Sequence, residues 1–254
     1  MEEIIAIAFG LIFGSFLNVV IYRLPLEQSL VKPRSFCPQC GKTVKAYDNI
    51  PVLSYLLLLG KCRSCGVSIP FRYPLIEIFT AFTFWYSYKM AAYGLIHLVF
   101  TIIFLFILTA LCFIDLKYMI LPNELTIGGS VLFLVYSFFN PEVETLEAIL
   151  TAFGVTLIFF LIYIFYLKVR KFEGLGQGDI KMVFLLGIFL GVKKLLVTIL
   201  LASFSGLIVG VAVIIIRKKD FKYALPFGTF LSLAGYISYF AGDSILLLIF
   251  SLYK

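Results

Sequence analysis

Long runs of apolar residues constrain this chain more than any other feature of its sequence. An α-helix needs about 20 apolar residues to cross the hydrocarbon core of a bilayer. Eight runs approach or reach that length, at residues 3–22, 74–93, 95–114, 125–139, 146–167, 180–192, 194–216 and 226–249. The runs at 125–139 and 180–192 are short, and the sequence leaves their ends open. The pattern predicts an all-α polytopic membrane protein with about eight transmembrane helices.

Composition supports a membrane protein and indicates which kinds of partner to expect. Hydrophobic residues make up 62% of the 254-residue chain, charged residues make up only 14%, and the mean hydropathy is +1.06. Soluble globular domains have far fewer apolar residues. The net charge of +7 does not require a nucleic acid partner, because basic loops are retained beside anionic cytoplasmic lipid. The expected partner is the lipid bilayer.

The loop charges also predict an orientation. Of the 21 Lys and Arg residues, 17 fall in four loops, at 23–72, 115–124, 168–181 and 217–222. Because basic residues stay on the cytoplasmic side, these loops are expected there and the N-terminus outside. The residues Met1-Glu2-Glu3 lack the basic start of a signal peptide, so the first helix is expected to remain in the mature protein.

The segment 23–72 is the only polar stretch of any size and holds two C-x-x-C-G motifs. Their four cysteines are Cys37, Cys40, Cys62 and Cys65. Two such motifs supply four thiolates to a tetrahedral zinc ion, and a closed four-cysteine site is structural. Disulfides are the alternative, which the reducing cytoplasm disfavours. We therefore expect three parts: a first helix at 1–22, a zinc-binding loop domain at 23–72, and a seven-helix core at 73–254.

Two acids, Asp115 and Asp179, each end or begin an apolar run on the expected cytoplasmic side. Asp179 closes the glycine-rich stretch Gly174-Leu175-Gly176-Gln177-Gly178-Asp179. Taken alone, Asp179 is explained as a helix N-cap, and Asp115 as an ordinary interface residue. The pair favours function more strongly, because acids are rare in the membrane-facing sequence.

Two close carboxylates share a proton, and such a dyad can hydrolyse a peptide bond by acid/base catalysis. Lys117 and Lys181 each follow one acid by two residues and are expected to help keep one carboxylate charged. A phosphate-binding loop is disfavoured, because the glycines lie between membrane runs and not after a soluble strand. A proton-coupled transporter is the second alternative, although it predicts acids near the middle of the membrane.

One more acid, Glu77, lies just inside the second apolar run. An acid in that position is a functional candidate, and an ion pair with nearby Arg72 is an equally good explanation. The sequence leaves the two interpretations open.

These motifs together resemble the type IV prepilin peptidase family, whose members are leader peptidases and N-methyltransferases of the G-x-G-D aspartic class. The resemblance extends over nearly the whole chain. It rests on Gly14-Ser15-Phe16-Leu17-Asn18 with Arg23-Leu24-Pro25, both cysteine motifs, Asn49-Ile50-Pro51, Gly60-Lys61-Cys62, Arg72-Tyr73-Pro74 with Glu77, Phe113-Ile114-Asp115, Gly176-Gln177-Gly178-Asp179 and Pro226-Phe227-Gly228. Thr229 departs from the family, which typically has proline at this position.

The resemblance implies a function that the residues alone do not give. It implies that prepilins or pseudopilins are the substrates, that their basic leader is cut after a glycine at the cytoplasmic face, and that Asp115 and Asp179 are catalytic. It also implies methylation of the new N-terminus from S-adenosylmethionine. By resemblance alone, the residues for that step are Gly60, Lys61, Arg72 and Glu77. A peptidase without methyltransferase activity is an alternative, and the pilin, the oligomeric state and the pathway served stay open.

Overall fold

The computed structural model describes residues 1–170, 175–217 and 225–252 of the chain. Within these ranges the secondary structure is helical, apart from two isolated β-bridges in the loop after the first helix. The α-helices are α1 Glu2–Arg23, α2 Leu53–Leu57, α3 Arg72–Lys89, α4 Gly94–Tyr118, α5 Asn123–Tyr136, α6 Thr145–Arg170, α7 Gln177–Arg217 and α8 Phe227–Leu252. Short 3₁₀ turns lie at Leu24–Leu26, Ala46–Asn49 and Ser137–Phe139.

The chain divides into two compact units, Met1–Phe106 and Ile107–Lys254. The helix α4 contributes its first half to one unit and its second half to the other.

In the first unit, α1 packs closely against α3 because α1 has glycines at the contact. A Cβ atom at Gly10 would lie 2.5 Å from the Cα atom of Ala81, and one at Gly14 would lie 2.7 Å from the Cα atom of Glu77. Small residues at such positions let two helix backbones approach within a membrane. Asn18 donates its side-chain N–H to the Tyr73 carbonyl at 3.1 Å. An asparagine in an apolar span typically forms such a bond with a neighbouring helix.

In the second unit, α7 lies among α5, α6 and α8 and has a break in its middle. Gly191 leaves the helical range with φ 68° and ψ 177°, a conformation that glycine adopts without strain. The Glu147 side chain on α6 accepts the Val192 N–H at 3.3 Å just beyond the break. The long helix therefore consists of two segments, which correspond to the predicted runs at 180–192 and 194–216.

Five described helices are long and apolar enough to cross a membrane. They cover Glu2–Leu26, Gly94–Tyr118, Thr145–Val169, Gln177–Ile216 and Phe227–Ser251, and a shorter apolar helix covers Asn123–Phe139. The protein is thus all-helical with several candidate membrane spans. All eight predicted runs overlap described helices, but only these five meet the length and composition that a span requires, so eight crossings stay a prediction.

Candidate active site and metal centre

The two cysteine motifs fold into nearly identical turns. In each turn the glycine N–H donates to the carbonyl of the first cysteine, Gly41 to Cys37 at 2.9 Å and Gly66 to Cys62 at 2.9 Å. Both glycines have a left-handed backbone, with φ 67° and 71°. An L-residue with a side chain rarely adopts this conformation, so each C-x-x-C-G turn requires glycine at its last position.

The turns bring all four cysteine sulfurs together. The Sγ atoms of Cys37, Cys40, Cys62 and Cys65 all lie within 4.8 Å of one another, and those of Cys37 and Cys65 lie 3.9 Å apart. A tetrahedral zinc ion with Zn–S bonds of about 2.3 Å separates its sulfurs by about 3.8 Å. The donor set and its spacing therefore fit one zinc ion.

Local hydrogen bonds favour the thiolate form at the first cysteine of the second motif. The backbone N–H groups of Cys65 and Ser64 lower the pKa of the Cys62 thiol to about 7, whereas burial and the neighbouring cysteines raise the pKa of Cys65 to about 11. The same turn is tied to the rest of the loop by Arg63, whose guanidinium donates to both carboxylate oxygens of Asp48 at 2.7 to 3.0 Å. The second motif is thereby fixed against the 3₁₀ turn at Ala46–Asn49.

Asp115 lies in the last turn of α4 and is only 5% exposed. Its Oδ2 atom accepts the backbone N–H of Thr229 at 2.7 Å. The Thr229 hydroxyl lies 3.1 Å from the same oxygen and 3.2 Å from the Cys112 carbonyl oxygen, so two acceptors compete for its hydrogen. Because Thr229 is in the first turn of α8, unpaired N–H groups and the positive end of a helix face this carboxylate.

Asp179 lies in the first turn of α7 and is 8% exposed. Its Oδ2 atom accepts the Gly176 N–H at 3.2 Å. A Cβ atom at Gly176 would lie 2.9 Å from this oxygen, so the glycine leaves room for the carboxylate. The N-cap interpretation of Asp179 is therefore wrong in position: Asp179 is the third residue of α7, and its carboxylate reaches back to the N–H of Gly176, which precedes the helix. Gly174, the first glycine of the stretch, lies outside the described residues.

The two carboxylates come together within the second unit. The side chain of Leu121 lies between Gly178, which precedes Asp179, and Gly228, which lies beside Asp115. A Cβ atom at Gly178 would lie 3.0 Å from Leu121 Cβ, and one at Gly228 would lie 2.9 Å from Leu121 Cδ1 and 3.1 Å from Asp115 Oδ2. The glycines therefore keep side-chain bulk away from the acids.

Known proteins are similar to this chain along most of its length. Residues 8–93 match the bacterial peptidase A24 N-terminal domain, and residues 102–211 match the type IV leader peptidase family. The chain belongs to the type IV leader peptidase family. No solved structure matches it significantly.

Relatives in this family match nearly from end to end. The prepilin leader peptidase/N-methyltransferase of Legionella pneumophila is 37% identical, over 94% of this chain and 91% of the relative. The protein of the same name from Aeromonas salmonicida (strain A449) is 35% identical over 93% and 90%, and that from Pseudomonas aeruginosa is 35% identical over 94% and 90%.

The two lysines that follow the acids of this leader peptidase contact other groups. The Lys117 ammonium donates to the Tyr118 hydroxyl at 2.8 Å and lies 4.5 Å from the centre of that ring. The Lys181 ammonium donates to Asn123 Oδ1 at 2.8 Å. Among the described residues, neither lysine forms an ion pair with an aspartate.

Glu77 and Arg72 lie in the first unit and do not pair within its described residues. The Arg72 guanidinium lies 5.3 Å from the centre of the Tyr73 ring. The Glu77 carboxylate, 8% exposed, accepts the Val52 N–H at 2.7 Å. The ion-pair interpretation of Glu77 is therefore wrong, because this carboxylate instead binds the backbone of the zinc-site loop.

The loop residue that Glu77 binds has an unusual backbone. Val52 has φ 60° and ψ −49°, and the next residue, Leu53, donates its N–H to the Pro51 carbonyl at 2.6 Å. This is a γ-turn of the rare positive-φ kind, which is strained for a β-branched residue. The bond from Glu77 thus holds a strained turn in place.

Gly60 and Lys61 lie at the start of the second cysteine motif. Gly60 has φ 67°, and a Cβ atom there would lie 2.9 Å from the Tyr55 hydroxyl. Lys61 pairs with Ser68 in one of the two β-bridges. Gly60 and Lys61 thus contact other loop residues, and their role in methyl transfer, like that of Arg72 and Glu77, stays a prediction.

Sequence reasoning missed one contributor to the candidate active site. Thr229 was read as a minor departure from the family, yet it supplies the two donors that reach Asp115. Its place at the start of the last apolar run was the only available signal, since N–H groups at a helix start lack partners within the helix.

Proposed function

We propose that this protein is a prepilin leader peptidase that also N-methylates the new N-terminus of its product. The observation that carries the peptidase proposal is a pair of buried carboxylates. Asp115 lies at the end of α4 and contacts the start of α8, and Asp179 lies at the start of α7. The names of relatives that match more than 90% of the chain support both activities.

The hydrogen bonds suggest different roles for the two acids. Asp115 faces two donors from Thr229, which stabilise negative charge. Asp179 accepts one longer bond, from Gly176. Since two close carboxylates resist double ionisation, Asp115 is the better candidate for the ionised base and Asp179 for the protonated acid.

Peptide cleavage then proceeds by general acid/base catalysis. Asp115 accepts a proton from a water molecule, whose oxygen attacks the scissile carbonyl carbon, while the proton of Asp179 stabilises the carbonyl oxygen. Asp115 then gives the proton that it took from water to the leaving amine as the C–N bond breaks, so that Asp115 is again ionised and Asp179 protonated. The carboxyl product keeps the water oxygen.

The proposed substrates are prepilins or pseudopilins with a short basic leader, cut after a glycine at the cytoplasmic face. S-adenosylmethionine supplies the methyl group for the second activity. On the family resemblance, the residues proposed to bind this methyl donor are Gly60, Lys61, Arg72 and Glu77. Zinc at the four cysteines is proposed to be structural.

The proposed architecture keeps the three parts expected from the sequence: the first helix at 1–22, the zinc loop at 23–72 and the peptidase core at 73–254. Eight membrane crossings follow if α3, α5 and both segments of α7 each cross once. The proposed location is the cytoplasmic membrane, with the N-terminus outside and the zinc loop and both aspartates at the cytoplasmic side.

Intact-mass analysis of a prepilin incubated with the purified protein in detergent tests this proposal. Loss of the leader, followed by a gain of one methyl group only when S-adenosylmethionine is present, is the expected result. Loss of the leader without methylation would leave the peptidase alone, and an unchanged mass with folded protein would favour the transporter alternative.

Asp115→Asn and Asp179→Asn should each abolish cleavage while the protein still inserts in the membrane. General acid/base groups typically contribute about 10² to 10⁴-fold to the rate, so a loss of that size is expected from each variant. Asp243→Asn is the matched control, because Asp243 is exposed and its ion pair is with Lys194, at 3.7 Å. Full cleavage by either active-site variant would refute the dyad.

A further inference from the structure

Arg23, in the last turn of α1, is a buried cation that has no acidic partner among the residues described by the structure. The residue is only 5% exposed. The guanidinium donates to the carbonyl oxygens of Ser29 at 3.0 Å and Arg34 at 3.4 Å. No carboxylate lies within ion-pair distance of it in the described parts of the chain. Carbonyl dipoles satisfy hydrogen bonds but leave the positive charge uncompensated, which is costly for a buried group.

Arg23 is one of the residues that line a cavity between α1 and the loop of the first unit. The cavity has a volume of about 310 Å³ and is bounded by Ser15, Phe16 and Val19 of α1 and by the loop residues Arg34 and Asn49, among others. A second cation, Arg34, stands at the wall, and no acidic residue lines the cavity among the residues that the structure describes. The polar end of the cavity therefore favours an anion.

The other end of the cavity follows an apolar face of α1. Ile12 and Phe16, which are 60% and 45% exposed, belong to the same wall. Ile12 precedes Arg23 by eleven residues, or about 16 Å along a helix. Because α1 is a candidate membrane span and Arg23 is near its end, the cations lie at the depth of lipid headgroups and the apolar wall lies at the depth of acyl chains.

We infer that this cavity binds an anionic phospholipid, with its phosphate at Arg23 and Arg34 and one acyl chain along Phe16 and Ile12. Charge disfavours the other ligands considered for this protein. S-adenosylmethionine carries a sulfonium and an ammonium against one carboxylate, and a basic leader peptide is cationic, whereas both charged groups at the cavity are arginines. The inference does not depend on the proposed enzymatic activity.

Native mass spectrometry of the purified full-length protein in a neutral detergent tests this inference. Phosphatidylglycerol, phosphatidylcholine and inorganic phosphate are titrated separately, and the occupancy of the first bound molecule is compared. Phosphatidylglycerol should bind most tightly, phosphatidylcholine more weakly, and inorganic phosphate should neither bind nor compete at millimolar concentration. Arg23→Gln and Arg34→Gln should each weaken phosphatidylglycerol binding about fivefold.

Lys32→Gln is the matched control. Lys32 carries the same charge two residues before Arg34, is exposed, and is outside the cavity lining. Its replacement should leave binding within twofold. Arg34 is exposed, so Arg34→Gln keeps the test valid if Arg23→Gln fails to fold.

Three results would overturn the inference. One is equal binding of phosphatidylglycerol and phosphatidylcholine by the wild type and by every variant. This result would show that the apolar surface alone holds the lipid. Another is binding of inorganic phosphate with the same arginine dependence, which describes a site for a free anion. The third is arginine-dependent binding of S-adenosylmethionine, which would assign the cavity to the methyl donor.

Discussion

At the scale of single residues, Thr229 stands where the family resemblance implies a proline. Proline has no N–H to donate, whereas Thr229 offers Asp115 both a backbone N–H at 2.7 Å and a hydroxyl at 3.1 Å. Hydrogen bonds to a charged group contribute about 1.5 to 3 kcal/mol. In this chain the charge on Asp115 is thus stabilised by donors that a proline at this position would not provide.

Replacing Thr229 should therefore change the pH dependence of cleavage. The donors favour the ionised form of Asp115, so their loss makes protonation easier and moves the acid limb of the pH–rate profile to higher pH. We expect a shift of about one pH unit for each lost donor. Thr229→Val removes the hydroxyl, and Thr229→Pro removes both donors but is compatible with the first turn of a helix.

Cleavage rates measured at saturating prepilin from pH 5 to 9 give this comparison. The acid limb should lie at the lowest pH for the wild type, at a higher pH for Thr229→Val and at the highest pH for Thr229→Pro. Ser232→Ala serves as the control, because Ser232 is buried one turn further along α8 and donates to the Gly228 carbonyl. A Pro variant with an unshifted profile would show that these donors do not act on the catalytic proton.

Glu77 illustrates how an acid in a helix can act on a loop. Its replacement by alanine leaves the Val52 N–H without its acceptor and releases a strained turn, at a cost of about 1 to 3 kcal/mol. We expect Glu77→Ala to lower the thermal unfolding temperature in detergent and to expose the loop to protease. Glu77→Gln keeps an acceptor oxygen and should recover most of the loss.

The exposed Glu144 in the other unit provides the control, and Glu144→Ala should have no effect on the loop. Equal damage from Glu77→Gln and Glu77→Ala would indicate that the charge, and not the hydrogen bond to Val52, is what the loop requires. Methylation measured beside cleavage would then show which activity depends on this turn.

At the scale of elements, the loop between α1 and α3 depends on its cysteine turns. Apart from α2, the described part of this loop has only 3₁₀ turns and isolated bridges as regular structure. A segment of about 50 residues cannot build a large apolar core, so metal binding can supply its folding free energy. The neighbouring Asp48–Arg63 pair is largely solvent-accessible on its arginine side and adds little by comparison.

Metal analysis should find one zinc ion per chain. Cys40→Ser or prolonged chelation should remove it and make the loop sensitive to protease, with activity lost as a consequence. Cys112→Ser is the matched control, because Cys112 lies in α4 and is not part of the sulfur cluster. A stable, metal-free and fully active Cys40→Ser protein would contradict a structural role for zinc.

At the scale of the whole molecule, the distribution of basic residues predicts which side of the membrane each loop faces. Lys32 belongs to the basic loop expected inside, and Lys193 lies next to the break of α7, on the side expected outside. Both residues are exposed in the structure. Their positions give a direct test of the orientation.

A membrane-impermeant maleimide should label Lys193→Cys in intact cells and Lys32→Cys only after permeabilisation. The native cysteines give the background, which should stay low in intact cells because all four ligand cysteines are expected inside. Labelling in the reverse order would invert the orientation and place both aspartates on the outer side.

The sequence by itself determined the features that depend on local chemistry. Apolar runs predicted the helices because each helix satisfies its own backbone hydrogen bonds inside a bilayer. The C-x-x-C-G spacing predicted the sulfur cluster because both turns are short-range structures. Motifs also identified the family, which the comparisons established.

Only the tertiary structure decided which groups meet across long distances in the chain. Asp115 and Thr229 are 114 residues apart, and Glu77 and Val52 are 25 apart. No local pattern predicts such contacts, because they depend on how helices pack and on which donors a helix start leaves unpaired. For the same reason, the cavity at Arg23 was not apparent from the motif Arg23-Leu24-Pro25: its loop wall is brought to α1 by folding.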